Sequence, residues 1–193
     1  MSLVPCKNMS LFASCQPKDS SLTPLDFSSG LKIRAAETSD LATLAMITAE
    51  REGTTQDVQL ESFQRQLTRH QAADRFIILV ADVHGSVVGY GKCCFHTPAD
   101  DAPANIAAKG WYLMGVIVAP EFRRRRVAHQ LTLARLQWLA CRASKAYYFA
   151  NVQNRVSIEL HRQFGFVEVT RDFSFPNTTF TGGVGVLFEV DLK

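Results

Sequence analysis

Residues 111–128 read WYLMGVIVAPEFRRRRVA: an apolar strand runs into Pro120, four consecutive arginines follow, and an apolar helical pattern opens at Val127. Backbone amides at the start of a helix have no partner within it and carry the positive end of the helix dipole. With the guanidinium groups of Arg123, Arg124 and Arg126 beside them, such amides suit a diphosphate or another compact polyanion. Taken alone, the run RRRR suits equally a basic surface patch facing nucleic acid or an acidic partner.

A second stretch, residues 154–166, reads NRVSIELHRQFGF. The first pattern, carried by Val118, Pro120, Arg123, Val127 and Ala128, resembles motif A of the GNAT superfamily of N-acetyltransferases. Asn154, Ser157, Ile158, Leu160, His161, Gly165 and Phe166 resemble that family's second signature, in the right order along the chain. Arg126 departs from the pattern, because the family usually has Gly there. Either Arg126 avoids the left-handed conformation or the loop carries a small strain.

The resemblance covers roughly residues 31–192 and implies an α/β fold: a twisted mixed sheet of about seven strands with about four helices. It implies acetyl-CoA as co-substrate and no metal. By position, the main chain of Val116 and Val118 would hold the thioester and pantetheine. The loop at Arg123, Arg124 and Arg126, with the helix start at Val127, Ala128 and His129, would hold the diphosphate. Asn154 would reach the pantetheine, or serve only as a helix N-cap. His161 stands where the family usually has a Tyr acid, as in the phosphinothricin-acetyltransferase branch, and histidine can donate a proton near neutral pH. A hydrogen-bonded structural role suits the same residue. Tyr112 stands where the family often has a carboxylate base; tyrosine is a poor base at neutral pH, so it enters as a proton relay or as a strand-filling aromatic.

Composition agrees with one compact domain. A chain of 193 residues with 47% hydrophobic content can bury a substantial core. The net charge of +3 is modest, and the basic residues concentrate in one loop rather than over a face, which argues against nucleic acid as the partner. The five cysteines, Cys6, Cys15, Cys93, Cys94 and Cys141, show no metal-ligand spacing and suit reduced thiols in a cytoplasm, as packing residues. Residues 1–30 are rich in Ser and Pro, lack the apolar run of a signal peptide or membrane span, and read as a mobile arm before a domain over 31–193.

From Leu31 the periodicities predict strand, two helices, three strands, helix, strand, helix and two strands. Ser39 and Asp40 read as the cap of the first helix, and Val127, Leu131, Ala134 and Trp138 as the apolar stripe of the third. The resemblance places acceptor choice in the first two helices, the loop before residue 111 and the segment joining the last strands. Those pieces bring Glu50, Glu52 and Asp172 with Phe173, Phe175 and Phe180. Acids beside aromatic walls suit a small cationic amine such as an aminoglycoside-type antibiotic or a polyamine. A protein N-terminus or lysine as acceptor, and a CoA-binding regulator without turnover, are the alternatives. The long segment FSFPNTTFTGGVG suits folding over the acceptor or pairing with a second subunit as a homodimer.

Overall fold

The computed structural model describes residues 30–70, 75–180 and 182–192. The arm expected over residues 1–30, with Cys6 and Cys15, lies outside the described residues except for Gly30. In chain order the elements are β1 (Leu31–Ala35), α1 (Leu41–Glu52), α2 (Gln56–His70), β2 (Phe76–Val83), β3 (Ser86–His96), β4 (Gly110–Val118), α3 (Val127–Ala140), β5 (Lys145–Asn151), α4 (Arg155–Arg162), β6 (Val167–Thr170) and β7 (Gly185–Asp191). The seven strands form one sheet in the order β1-β2-β3-β4-β5-β7-β6. Every neighbouring pair is antiparallel except β4 and β5. The order and the mixed sheet are those predicted from the sequence.

Alternation along the strands divides the core between two faces. On one face, Leu44, Ile47 and Phe63 of α1 and α2 cover Ile78, Val80, Tyr90 and Ile117. On the other, Val127 and Leu131 of α3 cover Leu79, Ala81, Val88 and Val118. Cys93 and Cys94 fall in clusters on opposite faces, as adjacent strand residues must. Cys141 is exposed at the end of α3, so it is not the packing residue expected.

Two local differences from the sequence reading have physical causes. Ser39 does not cap α1; the Asp40 carboxylate accepts from the Glu37 amide at 2.7 Å and from Arg34 at 2.7 and 2.9 Å, closing a 3-10 turn, Thr38–Asp40, ahead of the helix. Arg34 also reaches Asp82 of β2, which ties the first strand, its neighbour and the helix start together. In α3, the buried positions are Val127, Leu131, Thr132, Arg135 and Leu139, while Ala134 and Trp138 lie at the margin. The residues four apart on the sheet-facing side include an arginine, which a hydrophobic pattern passes over.

Arg135 is 1% exposed and lies against Gly91 of β3. A Cβ on Gly91 would sit 2.9 Å from Arg135 Nε, and four hydrogen bonds hold that side chain where it is. Gly91→Ala should therefore overpack the core and lower unfolding free energy by about 1–3 kcal/mol in a urea titration; an unchanged midpoint would mean that Arg135 is free to move.

Candidate active site

β4 and β5 pair over only three positions, Trp111 with Ala146, Tyr112 with Tyr147 and Leu113 with Tyr148. Beyond Leu113 the strands part. On the other side of β4 the register with β3 shifts, Lys92 facing Met114 and Gly91 facing Val116, so Gly115 is an extra residue in a bulge. Its φ of 26° lies where glycine is favoured. The bulge resets the alternation of β4. The Ala119 amide bonds to Val88 of β3, so the polar groups of Val116 and Val118 face away from β3, toward the gap. Two arginines confirm the direction: Arg51 Nη1 donates to Val116 O at 3.4 Å and Arg123 Nε to Val118 O at 3.0 Å.

At the end of β4 a 3-10 turn, Pro120–Phe122, leads into the arginine loop. Arg124 (φ 60°) and Arg126 (φ 61°) are both left-handed, and Arg126 is the N-cap of α3. Of the two alternatives for Arg126 the strained one holds, at about 1–2 kcal/mol for such a residue. This turn aims the first amides of α3, those of Val127, Ala128 and His129, out of the helix end, where no intrahelical acceptor exists. Val127 anchors the turn in the core. His129 packs its ring 4.7 Å from Phe164 of the segment after α4, with Nδ1 buried and unpartnered. The gap and the helix end thus form one track of backbone donors with arginines along it. An extended amide-bearing arm ending in a diphosphate fits that track.

α4 borders the gap on the α3 face. Asn154 caps it, its side chain accepting from the Ser157 amide at 3.2 Å. His161 is 2% exposed, stacked on Tyr148 with ring centroids 3.6 Å apart. Its Nδ1 lies 2.8 Å from Ser157 O. A carbonyl only accepts, so Nδ1 carries the proton and Nε2, buried and unpartnered, is bare. Burial and then the charge of Arg135 push the imidazole pKa down to about 3. In the folded protein the ring is neutral, its one proton is committed to the Ser157 carbonyl, and the bare Nε2 is an acceptor rather than a donor.

The model of the acetyltransferase (GNAT) family matches residues 40–166. The chain belongs to the GNAT acetyltransferase family. Members of the family transfer acetyl from acetyl-CoA, and the chain is an N-acetyltransferase with that donor. No curated protein matches it significantly in sequence. Among solved structures it is similar to a ribosomal-protein-alanine N-acetyltransferase from Brucella melitensis, at 24% identity and a TM-score of 0.66, over 83% of this chain and 99% of that one. It is similar also to a putative acetyltransferase from Salmonella typhimurium with its cofactor acetyl-CoA, at 17% identity and a TM-score of 0.64, over 86% and 95%. A spermidine N-acetyltransferase from Vibrio cholerae, in complex with CoA and spermine, matches at 16% identity and a TM-score of 0.62, over 86% and 97%.

In this acetyltransferase Tyr112 sits at the closed end of the β4–β5 pair. It is fully buried, stacked on Tyr147 at 5.1 Å, and donates to Ala108 O at 2.7 Å. Burial raises its pKa well above the ordinary tyrosine value. It packs where the strands meet rather than where they part. Around it, Phe149, Phe173, Phe175 and Phe180 form an aromatic layer on the α1–α2 face. The segment joining β6 to β7 lies over that layer and is tied to residues 105–107 by Ala107 N to Ser174 O and Ser174 N to Asn105 O.

The acidic residues expected at the acceptor side are scattered. Glu50 shares the solvent-facing stripe of α1 with Ala42 and Met46. Glu52 accepts from Gln59 at 3.1 Å, and Asp172 from Asn105 at 2.8 Å. Phe173 packs against Phe149 and Phe180. Arg51 is the charged residue of α1 that reaches β4, and burial lowers its pKa. Its helical spacing from Leu44, Ile47 and Thr48 carried that signal, because those positions face the sheet. No group of three or more potential metal ligands occurs among the described residues.

The depressed pKa of His161 makes a stability prediction. Between about pH 3 and 6.5 the unfolded chain binds a proton that the folded chain refuses, so stability falls as pH drops through this window and is complete above it. His161→Gln should flatten that acid limb, whose slope from this group reaches about 1.4 kcal/mol per pH unit. Parallel limbs for the two proteins in denaturant titrations at pH 4, 5 and 6 would show that His161 is protonated in the fold.

Proposed function

We propose that this acetyltransferase acts on a primary amine of a small molecule. The pantetheine arm lies in the gap along Val116 and Val118. The diphosphate meets Arg123, Arg124, Arg126 and the amides of Val127, Ala128 and His129, and the amide group of Asn154 lines the same track. The parting of β4 and β5 beside the strained arginine loop carries this reading. The acceptor approaches from the α1–α2 face, between Arg51 and the aromatic layer with Phe173. It attacks as a neutral amine; a nitrogen–carbon bond forms, the carbon–sulfur bond breaks, and the amine's proton passes to water.

A compact amine suits this side better than the aminoglycoside-type polycation, which needs converging carboxylates that Glu50, Glu52 and Asp172 do not supply. The solved relatives named above include one named for a ribosomal-protein alanine and one for spermidine, so the family accommodates both acceptor classes. The tight strap over the aromatic layer favours the small molecule here. Reduced Cys93 and Cys94 suit a cytoplasmic setting.

At about a hundred times its dissociation constant, acetyl-CoA should stabilise the fold by about 2.7 kcal/mol and raise the melting temperature by several degrees. Arg124→Glu should remove most of that shift while leaving the unliganded melting temperature nearly unchanged, since Arg124 is outside the core. A melting curve unmoved by acetyl-CoA would overturn the proposed cofactor track. For the acceptor, Glu50→Gln and Asp172→Asn should change the Michaelis constant of a cationic amine less than twofold; a tenfold rise, worth about 1.4 kcal/mol, would restore the polycation.

A further inference from the structure

A buried cation, Arg135, stands behind the β3–β4 bulge next to the gap, and none of its hydrogen-bond partners is an anion. Arg135 donates to Leu131 O at 3.3 Å, Lys92 O at 3.4 Å, Met114 O at 3.3 Å and the Thr132 hydroxyl at 2.9 Å, all neutral acceptors. None of the ion pairs among the described residues includes it. The titratable groups that face it are Cys93 of β3, Tyr148 of β5 and His161 of α4. Burial keeps the Cys93 thiol protonated, with its pKa pushed up to about 12, and raises that of Tyr148 as well. His161 is neutral. The guanidinium charge is therefore uncompensated, although taking such an ion out of water costs several kcal/mol.

Its position gives the charge a use. Met114, whose carbonyl Arg135 holds, is the first residue of β4 beyond the last pair with β5, and Tyr148 is the other half of that pair. Acetyl transfer moves an electron pair from the breaking carbon–sulfur bond onto sulfur. The proton shed by the amine goes to water, and the thiolate takes one from water after it leaves. His161 does not supply a proton at that moment, so the negative charge needs an electrostatic partner. A fixed charge in a low-dielectric core acts over several ångströms without reorganising.

We propose that Arg135 stabilises the thiolate form of coenzyme A at the vertex of the β4–β5 gap. It acts through space from behind the strand, as a positioning residue of the site. The proposal rests on the reading of the gap as the pantetheine track.

The test is a pH titration of CoA bound to the full chain, followed by the ultraviolet absorbance of the thiolate as a difference from protein alone. Wild type is compared with Arg135→Met and Arg135→Lys, each checked for CoA affinity and melting temperature. Bound CoA should ionise about one pH unit lower in the wild type than in Arg135→Met, a tenfold change in thiolate fraction, and Arg135→Lys should recover most of the difference. Equal midpoints with CoA bound would overturn the proposal while leaving the cofactor track intact. Failure of the wild type to bind CoA would overturn both. If Arg135→Met does not fold, the wild type decides alone: a bound thiol at or above the midpoint of free CoA overturns the proposal. A merely structural role for Arg135 would shift melting temperature and affinity without shifting that midpoint.

Discussion

Two parallel strands that pair for three residues and then separate leave backbone donors facing an empty edge in the middle of a sheet. An unpaired edge in a core is costly, since each buried amide needs a partner. Here the bulge at Gly115 and the arginines that hold Val116 O and Val118 O manage the carbonyls of that edge. The amides on the same edge are those that the proposed pantetheine arm would pair with. Much of the surrounding structure maintains this parting: α3 on one face, α1 on the other, and the aromatic layer clamping the closed end.

The polar groups in the interior are sorted by the same constraint. Tyr90 must donate to Thr48, because the Thr48 hydroxyl proton goes to Leu44 O, and that bond fixes α1 over β3 beside Val116. Tyr148 meets the Ser157 hydroxyl and places α4 over β5. His161 and Arg135 lie between these anchors, one neutral and one charged. Two cations in that space would repel, so the charge of Arg135 and the neutrality of His161 are parts of one arrangement.

The element order was legible because strands of period two and helices of period 3.6 alternate cleanly from Leu31 onward. The proposed cofactor track draws on residues that a local pattern can show, Pro120, the arginine run and the Asn154 helix, each on its own short element. The rest depends on tertiary contacts that no local pattern encodes. Arg135 was invisible, since a charged residue in a helix reads as exposed, and only Gly91 makes the room that buries it. Glu50 looked suitable by type yet turns outward by helical phase, whereas Arg51 turns inward. His161 matched a signature position, but its protonation follows from Ser157 O and from burial, neither of which a motif records.

Amide hydrogen exchange along β4 tests the account most directly. If β4 parts from β5 to receive the pantetheine arm, the amides of Val116 and Val118 should exchange faster than those of Tyr112 and Leu113 in the free protein, and saturating CoA should protect Val116 and Val118 selectively. CoA binding that leaves those two amides unprotected would contradict it.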